Sequence, residues 1–163
     1  MKKLTTPLTI EKTRDLHEGD CVLLTGTIYT ARDAAHKKMA DAYASGTPLP
    51  LAGQVVYYAG PCPKKPGEII GSVGPTTSYR MDDYAELFCQ NGCIYSIGKG
   101  KRSEKAINAI RENRGVHFDA IGGAGAYYKS CVQSAELVLY PELGAEAVYK
   151  LEVRDFPLIV RIR

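Results

Sequence analysis

Hydroxyl groups and a guanidinium lie close together in the segment Gly74-Pro75-Thr76-Thr77-Ser78-Tyr79-Arg80. If a helix begins near Thr76, Arg80 lies four residues further on, and the two side chains share one helix face. Free N–H groups at the helix N-terminus would then join them in binding a small anion such as a carboxylate. On spacing alone, the favoured reading is that Thr77 or Ser78 caps the helix and Arg80 is solvated.

A second candidate anion site lies in the segment 31–37, where Arg32 and His36 are four residues apart. A helix here would place both side chains on one face, which again suits an anionic ligand. A surface arginine and a half-buried histidine explain the same spacing without any ligand. The segment therefore predicts a helix and leaves the ligand open.

Three glycine-bearing turns follow predicted strands, at Gly74-Pro75-Thr76-Thr77, Gly98-Lys99-Gly100 and Gly122-Gly123-Ala124-Gly125. In α/β folds, ligands gather at the carboxyl ends of strands, although glycines also serve simply to permit tight turns. The turn at Lys99 lacks the upstream glycine and the following Ser or Thr of a phosphate-binding loop, and the turn at 122–125 lacks the spacing of a dinucleotide fingerprint. Taken singly, each turn is more typical of a structural role, and nucleotide binding has little support.

Metal ligation and nucleophilic catalysis have little support in the sequence. Cys89 and Cys93 are separated by three residues, but no second pair or neighbouring histidine completes a tetrahedral ligand set. No Ser-His-Asp or Cys-His arrangement can be placed. We therefore predict no metal site in this chain.

The pattern of apolar residues and turn residues predicts which elements position these groups. Strands are predicted at 21–30, 54–59, 68–73, 93–97, 116–121, 135–140 and 147–153, and helices at 31–45, 78–90, 103–114 and 126–132. Strands alternate with helices in the second half, which favours parallel β-α-β units, while the first half is richer in strands. No repeat or linker divides the chain, so we expect one α/β domain over residues 1–163.

Composition limits the class of protein. The chain has 163 residues, 45% of them hydrophobic, and a net charge of +3, which is too small to indicate a nucleic-acid or anionic-membrane partner. No apolar run approaches the roughly 18 residues of a membrane span, and residues 1–7 lack the apolar stretch of a signal peptide. The odd count of five cysteines favours reduced thiols. We therefore expect a cytoplasmic protein that binds neither nucleic acid nor membrane.

Several long motifs resemble one family. They are Leu24–Lys37, Tyr57–Pro61, Ile70–Asp82, Ile97–Gly100 and Gly122–Ala124, in that order along the chain. Together they resemble the iron–sulfur hydro-lyase β-subunit family, which comprises the β subunits of two-subunit class I fumarases and of L-tartrate dehydratases and the C-terminal domain of single-chain class I fumarases. The resemblance runs from about residue 4 to residue 156.

The resemblance implies a single swivelling β/β/α domain, as in the class I fumarase C-terminal domain. It implies reversible addition of water to an unsaturated dicarboxylate, with fumarate and (S)-malate as the first expectation. The [4Fe–4S] cluster is expected on an α subunit and not on this chain, with the active site between the two. A heterotetramer of two αβ pairs is the expected assembly, and the chain is expected to be active only with its α subunit.

The resemblance also implies roles for individual residues. Thr76 is similar to the base that removes the C3 proton of malate, and Lys99 to the lysine that approaches the substrate and the threonine hydroxyl. Arg32, Arg80 and Thr77 are expected to bind the substrate, while His36 and Asp33 are expected to orient these side chains from behind. A threonine hydroxyl is a poor base unless nearby cations favour its alkoxide, and arginine can bind a carboxylate through two N–H groups where lysine does not.

Two alternatives stay open. The substrate expected from the resemblance could be tartrate or a methylated dicarboxylate, because the same side chains would bind them. Tyr79, Lys101 and Cys62 depart from the residue types that are common at these places in the family, and these departures concern substrate preference. The second alternative is a non-catalytic module that binds small anions.

Overall fold

A seven-stranded sheet organises the computed structural model, which describes residues 1–163. The strands are β1 (Lys2–Thr5), β2 (Cys21–Thr30), β3 (Val55–Tyr57), β4 (Tyr95–Gly98), β5 (Val116–Asp119), β6 (Val132–Leu139) and β7 (Val148–Ile162). The helices are α1 (Ile10–Thr13), α2 (Asp33–Ala44), α3 (Ala85–Gln90), α4 (Glu104–Glu112) and α5 (Gly125–Cys131). Two 3-10 segments, Ser78–Tyr84 and Pro141–Glu146, precede α3 and β7 respectively.

The sheet closes on itself. Strands β1 to β5 are paired in sequence order and run parallel, while β7 runs antiparallel to both β2 and β5. The first part of β7 also pairs with β6. The result is a mixed α/β fold with a barrel-like sheet, which confirms the predicted α/β class and the parallel β-α-β unit formed by β4, α4 and β5.

Apolar side chains from the closed sheet fill its interior. Leu24, Ile28, Phe118, Leu151 and Phe156 are fully buried members of the main core cluster. Strand β3 is a continuous apolar run, Val55-Val56-Tyr57, because both of its faces are covered, which is typical of parallel sheets. A second cluster lies beneath helix α2.

Several predicted elements are wrong in extent or type. Residues 68–73 form no strand, because they are linked to the rest of the chain by single bonds, such as that from the Cys62 N–H to the Ser72 carbonyl (2.8 Å), instead of a ladder. The helix predicted at 78–90 is divided into a 3-10 segment and helix α3. The last strand continues to residue 162 instead of ending at 153, and strand β1 and helix α1 were not predicted.

Parallel strands β2 to β5 bring their carboxyl ends to one edge of the sheet, here called the carboxyl edge. Backbone hydrogen bonds extend this edge beyond the strands: the Tyr58 N–H donates to the Ile97 carbonyl (2.8 Å), and the Thr76 N–H donates to the Tyr58 carbonyl (2.6 Å). The carboxyl edge is therefore the place where residues from distant parts of the sequence meet. None of the helices combines the length and apolarity that crossing a bilayer demands.

Candidate active site

The loop that carries Thr76 and Thr77 is joined to the end of strand β4. Thr77 and Lys99 form an isolated parallel bridge, and the Ser78 N–H donates to the Lys99 carbonyl (2.8 Å). The 3-10 segment begins at Ser78, so the premise of a helix beginning near Thr76 is wrong. Thr77 occupies the N-cap position without a side-chain cap bond. Because neither threonine caps the segment through its hydroxyl, these groups remain available at the carboxyl edge.

The side chain of Lys99 extends across the turn that follows strand β5. A Cβ atom placed on Gly122 would lie 3.4 Å from Lys99 Cδ and 3.7 Å from Lys99 Nζ, so the glycine permits this close passage. The Lys99 ammonium takes part in none of the ion pairs of the structure. The carboxyl edge thus holds an unpaired cation whose backbone is bonded to the loop of the two threonines.

Arg32 lies at the junction between strand β2 and helix α2, where it is the N-cap residue. Its side chain passes over Gly60, where an added Cβ atom would stand 2.9 Å from Arg32 Cδ and 3.0 Å from the Ala145 carbonyl oxygen. The Arg32 Nε atom lies 3.3 Å from Oε1 of Glu146, and one third of the side chain is exposed. Arg32 is therefore confined on two sides but open to ligand on the third.

Arg80 is held by Asp33 in a two-point ion pair. The Arg80 Nε–H donates to Asp33 Oδ1 (3.0 Å), and Nη2 donates to Asp33 Oδ2. These hydrogen bonds lower the pKa of Asp33, and the charge of Arg32 lowers it further. The pairing leaves the Nη1–Nη2 edge of the Arg80 guanidinium for another carboxylate.

His36 lies on the buried face of helix α2, 1% exposed, and not on a ligand-binding face. Its Nδ1 atom is 3.0 Å from the Arg32 carbonyl oxygen, and its ring stacks on Phe88. Burial lowers the pKa of His36 to about 4, so the ring is neutral near pH 7. His36 is therefore not placed to bind an anion together with Arg32, and it contacts the backbone carbonyl of Arg32.

A buried arginine lies below the carboxyl edge. The Arg102 Nε–H donates to Asp82 Oδ1 (2.8 Å), and its Nη1 donates to the Tyr58 hydroxyl (3.0 Å). The second oxygen of Asp82 accepts the Ser103 N–H (2.7 Å). The Arg102 side chain is only 1% exposed, so this pair is part of the core.

A buried histidine links this arginine to the threonine loop. His117 Nδ1 lies 2.7 Å from Ser96 Oγ, and its Nε2 lies 3.2 Å from Ser78 Oγ, directly after Thr77. Burial, followed by the charge of Arg102, lowers the pKa of His117 well below its ordinary value. The neutral ring thus supports the residue that follows the threonine pair.

The structure groups the predicted residues in two sets. Thr76, Thr77 and Lys99 meet at the ends of β3 and β4, while Arg32, Asp33 and Arg80 meet at the start of α2. Sequence reasoning missed Glu146, Arg102 and His117. Glu146 is more than a hundred residues from Arg32 in sequence, so no local spacing could reveal their contact.

The residues of this chain do not fit an iron–sulfur cluster. Such clusters are held by several cysteine thiolates, but no group of three or more His, Cys, Asp or Glu side chains is arranged to hold a metal ion. Cys21 and Cys62 are exposed at separate places, and Cys89 and Cys93 are buried. Burial raises the pKa of Cys93 to about 12, which disfavours the thiolate.

The carboxyl edge can therefore bind anions and present hydroxyl groups to them. Two guanidiniums with free N–H groups and one unpaired ammonium can bind carboxylates, because charged hydrogen bonds to carboxylates are strong and directional. A hydroxyl beside an ammonium is also easier to deprotonate than an isolated one.

Comparison with known proteins places this site in context. The family model described as Fumarase C-terminus matches residues 2–163. Fumarate hydratase 2 of Leishmania major is 40% identical over 146 residues, which cover 87% of this chain and 26% of that protein. The aerobic class I fumarate hydratase of Escherichia coli K12 is 40% identical over 143 residues, which cover 85% of this chain and 26% of that protein.

A shorter relative is covered almost entirely. The Methanocaldococcus jannaschii protein named "Putative L(+)-tartrate dehydratase subunit beta" is 40% identical over 161 residues, which cover 94% of this chain and 83% of that protein. The chain thus spans about a quarter of the fumarate hydratases named above and most of the tartrate dehydratase subunit.

Proposed function

The chain belongs to the Fumarase C-terminus family, and from that premise we propose that it is the β subunit of a two-subunit [4Fe–4S] hydro-lyase that interconverts fumarate and (S)-malate. The observation that supports this proposal is that two arginines, an unpaired lysine and a threonine pair lie at one edge of a family member's sheet. The extensive coverage of the tartrate dehydratase β subunit supports a separate subunit.

Thr76 is the proposed base. In the direction of dehydration, its Oγ1 atom takes the proton from C3 of malate, and it returns the proton to the same carbon during hydration. Lys99 supports this role because its ammonium has no acidic partner and its backbone is bonded to the threonine loop. A neighbouring positive charge stabilises the alkoxide form of a hydroxyl and so lowers its pKa.

Arg32 and Arg80 are the proposed ligands of the two substrate carboxylates, with Thr77 beside them. Each guanidinium is approached by an acidic side chain at Nε, and each keeps its Nη1–Nη2 edge for a carboxylate. Asp33 and His36 are proposed to orient these groups, through the Arg80 ion pair and the Arg32 carbonyl respectively.

The [4Fe–4S] cluster is proposed to belong to an α subunit, because the side chains of this chain do not form a ligand set for it. When bound, the cluster would supply Lewis-acid chemistry at the substrate hydroxyl. We further propose a cytoplasmic heterotetramer of two αβ pairs, in which this chain is the swivelling domain that closes over the α subunit.

Tartrate is the alternative substrate, and the coverage of the Methanocaldococcus jannaschii relative favours it. Tartrate is also a four-carbon dicarboxylate, so the two arginines would bind it in the same way. Tyr79 is largely exposed beside Arg80 and would contact the part of a substrate that differs between the two acids.

Reconstitution tests the proposal. The purified chain alone is expected to contain no iron and to hydrate no fumarate, whereas co-purification with the α subunit and anaerobic cluster assembly should give fumarate hydration. Turnover of tartrate but not fumarate would favour the alternative substrate. Iron and turnover in the isolated chain would overturn the subunit assignment, and dicarboxylate binding without turnover in the complex would favour the anion-binding module.

A further inference from the structure

Glu146 is the one acidic side chain that forms an ion pair with Arg32. The sequence around Arg32 does not predict this contact. The Glu146 Oε1 atom lies 3.3 Å from Arg32 Nε, and 30% of the Glu146 side chain is exposed. Gly60 and the Ala145 carbonyl form the other walls of the slot around the Arg32 side chain. The position of the guanidinium is therefore set by groups that do not belong to its own element.

The closure of the sheet explains why Glu146 reaches Arg32. Thr30 pairs with Tyr149 in the antiparallel β2–β7 ladder, and the Tyr149 N–H also donates to Thr30 Oγ1 (3.1 Å). Counting two residues onward from Thr30 and two back from Tyr149 places Arg32 opposite residue 147. Glu146 thus lies beside Arg32 because strand β7 closes the sheet against β2.

Glu146 is itself fixed by the N-terminus of helix α2. The Ala34 N–H donates to Glu146 Oε1 (3.1 Å), while the N-cap residue Arg32 makes no side-chain cap bond. A carboxylate at this position satisfies a free N–H group and is favoured by the helix dipole. The same oxygen therefore joins the helix terminus to the arginine.

Both arginines of the carboxyl edge are approached at Nε by a carboxylate, Arg80 through hydrogen bonds and Arg32 through an ion pair in which the buried Nε makes no hydrogen bond. Asp33 binds Arg80 through Nε and Nη2, and Glu146 approaches Arg32 at Nε. In both cases the Nη1–Nη2 edge stays unoccupied, and both acids lie at the start of α2. We propose that Glu146 is a positioning residue that orients Arg32 for one carboxylate of a dicarboxylate substrate, as Asp33 does for Arg80. This inference rests on the proposed function for the identity of the substrate.

Matched variants separate this role from helix capping. Glu146→Gln keeps an oxygen that can accept the Ala34 N–H but removes the negative charge beside Arg32. Glu142→Gln is the control, because Glu142 lies in the same 3-10 segment and forms an ion pair with Lys38 of the same helix. In the reconstituted complex, we expect Glu146→Gln to raise the KM for fumarate about tenfold with kcat within about twofold, and Glu142→Gln to change neither.

A second readout does not depend on activity. In the isolated chain labelled with nitrogen-15, the Arg32 Nε–H resonance is identified by its loss in Arg32→Lys. We expect this resonance to be protected from exchange with water in the wild type and in Glu142→Gln, and to exchange rapidly in Glu146→Gln. An equally protected resonance in Glu146→Gln would overturn the contact.

The outcomes distinguish this inference from the proposed function. If the wild-type complex turns over fumarate and Glu146→Gln has the same KM as Glu142→Gln, Glu146 does not position Arg32 for substrate. If the wild-type complex has no hydro-lyase activity while the resonance behaves as expected, the proposed function fails and the positioning of Arg32 by Glu146 stands.

Discussion

Two arginine–carboxylate pairs of the molecule differ sharply in burial. The Arg80–Asp33 pair at the carboxyl edge has side chains 39% and 41% exposed, whereas the Arg102–Asp82 pair beneath it is 1% and 10% exposed. The exposed guanidinium keeps N–H groups free for a ligand, while the buried one also bonds the Tyr58 hydroxyl. Burial, rather than the kind of pair, thus separates a guanidinium that is open to a ligand from one that is part of the core.

The energetics follow the same division. Exposed ion pairs stabilise a fold by about 0–1 kcal/mol, whereas removing one partner of a buried pair costs roughly 3–5 kcal/mol because it leaves a buried charge uncompensated. Substitutions at the carboxyl edge should therefore alter reaction rates, and substitutions beneath it should alter the free energy of unfolding.

Thr76→Ala is expected to give the largest effect at the carboxyl edge. If Thr76 is the base, its loss should lower kcat by a factor on the order of 10²–10⁴, while substrate binding changes little. The hydrogen bond that fixes Thr76 is made by its backbone N–H to Tyr58, so the melting temperature should also change little. The measurements are fumarate hydration by the reconstituted complex and a thermal melt of each variant.

Two further variants, Thr76→Ser and Thr77→Ala, serve as controls for Thr76→Ala. Thr76→Ser keeps the hydroxyl and should retain part of the activity, and Thr77→Ala should be milder than Thr76→Ala. Normal turnover together with early melting of Thr76→Ala would show that the residue acts in stability and not in proton transfer.

Asp82→Ala should produce the largest loss of stability. Removing the carboxylate leaves Arg102 buried without its charge partner, and the free energy of unfolding should fall by roughly 3–5 kcal/mol. Urea denaturation of the isolated chain measures this change. The matched variant Asp33→Ala should lower the free energy of unfolding by about 1 kcal/mol or less. Equal losses in the two variants would contradict the division by burial.

Lowering the pH should reduce the free energy of unfolding, because His36 and His117 are buried in their neutral form. The folded protein keeps His36 neutral with a pKa of about 4, whereas in the unfolded chain the same ring binds a proton near the ordinary histidine pKa of 6.5. Stability is therefore complete above about pH 6.5 and falls as the pH drops toward 4, by roughly 3 kcal/mol for His36. His117 acts in the same direction, because burial also lowers its pKa.

Urea titrations between about pH 7.5 and pH 4 measure this dependence. His36→Gln should make the free energy of unfolding less dependent on pH, but some dependence should remain because His117 is unchanged. The ion pair of Asp33 contributes only at the acid end of this range, because its stabilisation is lost mainly as the pH falls below the ordinary Asp pKa of 3.8. A slope in His36→Gln equal to that of the wild type would show that His36 is not buried in its neutral form.

Local signals in the sequence predicted the elements that depend on local interactions. The helix predicted at 103–114 is present as α4 at Glu104–Glu112, and the Oγ atom of Ser103 caps it by accepting the Ala106 N–H (3.2 Å). The extended run 21–30 was predicted as strand β2, and the helix predicted at 31–45 is present as α2 at Asp33–Ala44. In each case the apolar pattern and the cap or glycine lie within a few residues of the element.

Long-range pairing accounts for most of what the sequence did not predict. Residues 154–162 extend strand β7 because they pair with β2 and β5, which are distant in sequence. The contacts of Arg32 with Glu146, and of His117 with Ser78, likewise depend on how the sheet closes. The family resemblance singled out Thr76, Lys99, Arg32 and Arg80, and their roles stay predictions.

The position of strand β7 has a consequence for how the protein folds. It is the last strand of the chain, yet it lies between β2 and β5 and completes the ring. During synthesis the emerging chain cannot close this ring until its final strand leaves the ribosome. Contacts between such distant segments slow folding, because loop-closure entropy is lost before the contacts form. The apolar faces of strands β1 to β5 therefore stay uncovered until β7 pairs with β2 and β5. Uncovered apolar surface during synthesis favours aggregation and chaperone binding.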